Sequence, residues 1–223
     1  MNDYTKFANW EILADDEDRV RALFPGLSLH PLVAALLVAR GITSPAAAQG
    51  FIDPRFYRPT LADELPDLPQ AIELLQRIVS QQLPVLVWGD FDVDGQTATA
   101  LLVSVLGALG VPVAFYIPNR LDESHGIQLA TLRQQLEQRS PALLLTCDTG
   151  IAAHEAVDYA KQRGIAVIIT DHHDLPPALP QADAVINPKR LSPDHPLATL
   201  PGVGVAYKLC EGLLACLGQP QAG

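Results

Sequence analysis

The chain has 223 residues, a hydrophobic content of 48% and a formal charge of −10, enough for one large or two small domains with a sizeable core. The charge argues against a broad nucleic-acid-binding surface, but not against a local site where metal ions offset negative charge. No secretory leader and no apolar stretch long enough to span a bilayer are evident. Cys147, Cys210 and Cys216 are odd in number and lack metal-type spacing, so they read as reduced thiols of a cytoplasmic protein.

Residues 1–83 show helical segments at Pro31–Arg40, Pro45–Phe51 (with Ser44 as N-cap) and Leu68–Gln81, with no strand pattern. They predict a helical N-terminal layer packed on the domain that follows. From residue 84 to 217 the pattern alternates. Apolar runs at Val85–Trp88, Val111–Ile117, Ala142–Cys147, Ala166–Ile169 and Ala184–Ile186 read as buried strands. Helical stretches Thr97–Leu109, Gln128–Arg139 and Ala152–Arg163 lie between the first four, and Val203–Leu217 follows the turn Pro201–Gly204. This rhythm predicts an α/β fold, a doubly wound and mostly parallel five-stranded sheet with helices on both faces. Gly218–Gly223 is expected to be a flexible tail.

The tract Gly89-Asp90-Phe91-Asp92-Val93-Asp94-Gly95 directly follows the first strand. Carboxylates crowded at a strand end raise one another's pKa, and a hard divalent cation removes that cost. An EF-hand loop would need a bidentate Glu at its twelfth position, where this chain has Leu101. A P-loop would need Lys where Gln96 stands, and the carboxylates would repel phosphate. An aspartyl-phosphate motif of the form D-x-D-x-T fits the strand end but has no Thr in register. The plain alternative is an acidic surface turn.

The other strand ends strengthen the metal reading. They carry Asn119-Arg120, Asp148 and Asp171-His172-His173, and in a parallel sheet all of these lie along one edge. Each group has an ordinary explanation: Asp148 as a helix cap, the histidines as loop residues, Arg120 as partner of Asp122 or Glu123, and Asn187-Pro188 as a turn. Together, carboxylates and imidazoles without paired cysteines suit Mn²⁺ or Mg²⁺ rather than structural zinc. Two ions about 4 Å apart would clamp a phosphoryl group for in-line displacement.

Asp90-Phe91-Asp92-Val93-Asp94-Gly95, Cys147-Asp148-Thr149-Gly150 and Asp171-His172-His173 resemble the ordered signatures of the DHH phosphoesterase superfamily. Pro118-Asn119-Arg120, Ile186-Asn187-Pro188, Gly202-Val203-Gly204-Val205-Ala206 and Phe51-Ile52-Asp53-Pro54 are similar to its RecJ branch of 5′→3′ single-strand-specific DNA exonucleases. The resemblance implies that Asp92 and Asp94 bind different ions, that Asp148 bridges them and that His172 is a ligand. It makes Asp90 a ligand through water or a near-shell carboxylate, and Asp171 an orienting partner for a histidine. His173 would contact the scissile phosphate or assist proton transfer. Asn119, Arg120 and His125 would meet the substrate, although Ser124-His125-Gly126 departs from the Gly-Tyr-Gly usual there.

The resemblance further implies single-stranded DNA as partner, with single-strand-binding or helicase proteins beside it in repair and recombination. It places another metal-binding Asp and a second, basic domain beyond Gly223, so this chain is expected to carry an incomplete metal set and weak activity at most. A DHH phosphodiesterase for short oligonucleotides or cyclic dinucleotides and a non-catalytic DHH scaffold are the alternatives. The superfamily's pyrophosphatases fit less well, because Trp88 stands where they carry a His.

Overall fold

A computed structural model of the chain describes residues 24–123 and 125–219. Ser124, the first 23 residues of the expected helical region and the expected tail beyond Gln219 lie outside the described residues. The chain divides between Pro59 and Thr60 into two compact units.

The first unit holds α1 (Pro31–Ala39) and α2 (Pro45–Ile52). Each begins where a side chain accepts a free first-turn N–H. His30 Nδ1 accepts from Leu32 N at 3.2 Å and Ser44 Oγ from Ala47 N at 3.2 Å. Phe24, Ala34, Leu37 and Ala48 form its small core.

The second unit is built from β1 (Val85–Trp88), β2 (Val113–Tyr116), β3 (Leu143–Cys147), β4 (Ala166–Thr170) and β5 (Ala184–Ile186). Its helices are α3 (Leu68–Gln81), α4 (Val93–Ala108), α5 (Leu129–Arg139), α6 (His154–Gln162) and α7 (Gly202–Cys216). The strands pair in the order β2-β1-β3-β4-β5, every pair parallel. This is the expected doubly wound architecture.

Alternation of side chains along a strand divides the core in two. Val85, Val87, Leu143, Leu145, Ile168 and Ile186 pack with α3, α4 and α7 on one face. Leu86, Trp88, Leu144, Val167, Ile169 and Val185 pack with α5 and α6 on the other. Both faces being covered explains why the strands read as unbroken apolar runs.

α4 starts four residues before the predicted Thr97, because Asp92 Oδ1 accepts from Gly95 N at 2.9 Å and caps the helix. Asp94 therefore stands in a helical first turn rather than in a loop. Two glycines permit this tight strand-to-helix passage. A Cβ on Gly89 would come within 2.0 Å of Thr99 Oγ1, and one on Gly95 within 2.6 Å of the Asp90 carbonyl oxygen. At the far edge of the sheet, Asp67 Oδ2 accepts from Val185 N at 3.1 Å and from Arg190 Nη1 at 2.7 Å. Arg190 Nη1 also donates to the Val185 carbonyl, so side chains occupy the backbone groups that an edge strand would leave open.

Candidate metal centre

Strand register sets the geometry of the site. Trp88 pairs with Thr146, Cys147 with Thr170, and Thr170 with Ile186. Counting forward, Asp90, Asp148, Asp171 and Asn187 fall level with one another just past the carboxyl edge. The ladder continues into them, with Asp148 N donating to Thr170 O at 2.9 Å and Asp171 N to Ile186 O at 3.0 Å. All four are buried, between 0% and 4% exposed. Such polar groups are costly there without partners.

Asp171 and Asn187 have theirs. Asp171 Oδ1 accepts from His172 N at 2.7 Å, His173 N at 3.1 Å and His173 Nδ1 at 2.7 Å, while Oδ2 accepts from Ile151 N at 2.9 Å. Burial pushes the Asp171 carboxyl up, but these bonds outweigh it and hold it below its ordinary value. In return the bond to Asp171 raises His173 to about 9, against a smaller opposing effect of burial, so the ring is cationic at neutral pH. Asn187 Nδ2 donates to the His173 carbonyl at 3.0 Å and Oδ1 accepts from Lys189 N at 2.9 Å. Only an amide supplies donor and acceptor at once in this way.

Asp90 and Asp148 are only partly satisfied. Asp90 Oδ1 and Asp148 Oδ1 are buried without a hydrogen-bond partner among the described residues. His172 Nε2 lies 3.0 Å from Asp148 Oδ1 and 3.6 Å from Asp94 Oδ2, a close approach that does not meet hydrogen-bond geometry at Asp148. Burial first, then the charges of Asp94 and Asp92, drive Asp148 up to about 8. Its backbone has φ of +59°, a left-handed conformation that Asp tolerates better than most residues.

Ligand-type atoms gather into two groups that share Asp148. Asp90, Asp92 and Asp148 form one, and Asp148, His172 and His173 the other, with the atoms of each within 4.8 Å of one another. Orphaned buried carboxylate oxygens, an imidazole beside them and no cysteine in either group are the chemistry of a hard divalent cation such as Mn²⁺ or Mg²⁺. The residues fit the ions that the sequence implied.

Residues 84–222 match the DHH family, N-terminal domain. The chain belongs to the DHH family. It is 39% identical over 208 residues to the single-stranded-DNA-specific exonuclease RecJ of Bacillus subtilis, covering 92% of this chain and 26% of that one. Against the RecJ of Thermus thermophilus it is 37% identical, over 91% of this chain and 30% of the relative. The crystal structure of RecJ in complex with Mn²⁺ from Thermus thermophilus superposes with a TM-score of 0.73 at 31% identity, covering 91% of this chain and 28% of that one. A structure of exonuclease RecJ bound to manganese gives a TM-score of 0.66 at 37% identity, over 73% of this chain and 41% of that one. The chain thus spans about a quarter to a third of the length of the curated relatives named here.

In this DHH domain the expected substrate-side residues sit on the loop after β2. Arg120 lies over the Phe91 ring, its Cζ 5.5 Å from the centroid, instead of pairing with the neighbouring acids. Those acids hold the loop. Asp122 accepts from Asn119 Nδ2 at 2.6 Å, and Glu123 accepts from Tyr116 Oη at 2.6 Å, Thr131 Oγ1 at 2.7 Å and Asn119 N at 3.0 Å. Asn119 is engaged within its own loop. His125 stacks on Phe91 at 4.3 Å and approaches Asp90 Oδ2 with Nδ1 at 3.2 Å. A cleft of about 560 Å³ opens beside the carboxylates, lined by His125, Ile127, Asp148, Gly150, Ala153 and His173 among others.

The helix-cap explanation of Asp148 does not hold, since α6 begins at His154 behind Ala153 and has no side-chain cap. Two motifs that carried the resemblance had no role assigned from sequence. Asn187 read equally well as a turn residue, and nothing in the Gly202-Val203 pair pointed to contact with a carboxylate.

Proposed function

We propose that this chain carries the metal-binding part of the active site of a single-strand-specific DNA exonuclease that hydrolyses phosphodiester bonds from a 5′ end. Asp148 carries this reading: one buried carboxylate, with an oxygen lacking a hydrogen-bond partner among the described residues, belongs to both ligand groups. Asp90, Asp92 and Asp148 would hold one Mn²⁺ or Mg²⁺ ion. Asp148 and His172, with Asp94 beside them, would hold the second. When bound, the ions would neutralise phosphate charge and increase the acidity of water.

The remaining residues bind, orient and move protons. His173, held cationic by Asp171 at 2.7 Å, faces substrate phosphate as a charge partner and is able to protonate a leaving oxygen. Asn187 fixes the backbone carbonyl of His173. Arg120 offers a guanidinium fork to substrate phosphate, its position set by Phe91, while His125 lines the cleft. Single-stranded DNA is the partner this arrangement serves, in the cytoplasm, with single-strand-binding or helicase proteins as associates.

The test is Mn²⁺-dependent digestion of a 5′-phosphorylated single-stranded oligonucleotide, with the duplex of the same sequence for comparison. It is run on this chain and on a fusion to the downstream part of the Bacillus subtilis relative. Single strands are expected to be digested selectively, with the fusion faster by about 10- to 100-fold, the usual scale for a missing ligand or its support. Equal digestion of duplex, or full activity in Asp148→Ala, would overturn the reading.

A further inference from the structure

The geometry points to the first turn of α7 as a clamp that holds two metal-site carboxylates in place, with Gly202 and Val203 as its positioning residues. The inference rests on the reading that these carboxylates bind divalent ions. It begins from two contacts that span more than one hundred residues of sequence. Gly202 N donates to Asp94 Oδ2 at 2.6 Å and Val203 N to Asp94 Oδ1 at 2.7 Å. First-turn N–H groups have no partner inside their own helix. α7 has no side-chain N-cap, and Asp94, from another helix, accepts two of these donors. Each carboxylate oxygen keeps a further lone pair, so the grip orients Asp94 without preventing it from binding a cation. Its negative charge also meets the positive end of the α7 dipole.

Gly202 touches the second carboxylate as well. A Cβ at this position would come within 2.3 Å of Asp148 Oδ1 and 2.7 Å of its Cβ and Cγ. Glycine therefore lets the α7 backbone close onto Asp148 while its N–H reaches Asp94. One residue fixes the spacing between the carboxylate common to both ligand groups and the carboxylate beside His172. α7 packs along α4, the helix that carries Asp94 in its first turn, through Val205, Ala206 and Leu209 against Ala98, Leu102 and Leu106. The clamp thus joins two helices that are already in register.

Two variants separate this role from a general effect on folding. Gly202→Ala adds one methyl against Asp148. Val203→Pro removes the N–H given to Asp94 Oδ1 and exchanges a partly buried Val side chain for another apolar one, and proline is tolerated in a helical first turn. Mn²⁺ binding is measured by calorimetry on the whole chain, with metal-free thermal melting as the folding control and Tyr207→Ala, exposed on the same helix, as comparison. Both variants are expected to fold, Gly202→Ala melting lower by the cost of one overpacked methyl, and to bind Mn²⁺ about 10- to 100-fold more weakly, as for lost supporting contacts, with Tyr207→Ala unchanged. Folded variants that bind like wild type would overturn the clamp.

Amide hydrogen exchange on the wild-type chain tests the same contacts without substitution. The Gly202 and Val203 amides should exchange at least about 10-fold more slowly than open first-turn amides; exchange at the open rate would overturn the clamp even if both variants failed to fold. Absence of Mn²⁺ binding by wild type would instead defeat the metal reading, and exchange would still decide whether the carboxylate grip exists.

Discussion

Replacing Asp148 by Asn should strengthen the metal-free fold while abolishing its response to Mn²⁺. Asp148 is 1% exposed, and its carboxyl rises from 3.8 to about 8 through burial and the charges of Asp94 and Asp92. At about 1.4 kcal/mol for each tenfold change in proton affinity, the strain of ionising it in the fold is on the order of 5 kcal/mol. Relaxation of the surroundings offsets part of this strain, so a gain of about 2–3 kcal/mol is expected at pH 8. Because this acid's folded pKa lies above its unfolded value, the native state binds the extra proton. The contribution of this group to stability is therefore greatest below about 4 and is lost as pH rises toward 8.

The advantage of Asp148→Asn over wild type should accordingly widen between about pH 5 and pH 8. Asn is nearly isosteric and suits the φ of +59° at this position. Urea unfolding of both proteins, with and without Mn²⁺, is the assay. At 100 times its dissociation constant Mn²⁺ should add about 2.7 kcal/mol to wild type and nothing to the variant. If the metal-free variant were no more stable than wild type at pH 8, the charge-crowding argument for Asp148 would be wrong.

Asp171→Asn should return His173 from about 9 toward its ordinary 6.5, read by NMR titration of the ring. The pair's stabilising contribution is full below 6.5 and is lost as pH rises through about 9, so the variant should lack that part of the wild-type pH dependence; an unmoved His173 would remove Asp171 as its orienting partner. Gly89→Ala should cost about 1–3 kcal/mol by overpacking, since its Cβ would fall 2.0 Å from Thr99 Oγ1. Adding Thr99→Ala should recover part of that cost in urea unfolding. Asp67→Ala should cost about 1–3 kcal/mol, because it strips partners from Val185 N and Arg190 together; a neutral effect would mean the β5 edge needs no staple.

Local pattern determined the elements of this protein. Apolar runs such as Val85–Trp88 and Leu143–Cys147 are legible because a strand buried on both faces has no polar side to interrupt it. Carboxylates and histidines following such runs marked the edge where the candidate site lies, because parallel strands present their ends together. What sequence left open was register and contact at long range. That Asp90, Asp148, Asp171 and Asn187 lie level follows from strand pairing, which hydrophobicity alone does not encode. Which carboxylates are satisfied was likewise settled in three dimensions. Asp171 collects its donors from its own loop and Ile151, Asp94 from the far end of the chain at Gly202 and Val203, while Asp90 and Asp148 each retain a buried oxygen without a partner among the described residues. Short-range periodicity governs which segments become helices and strands, whereas a site requiring groups from four strand ends and a remote helix exists only once packing has fixed their distances.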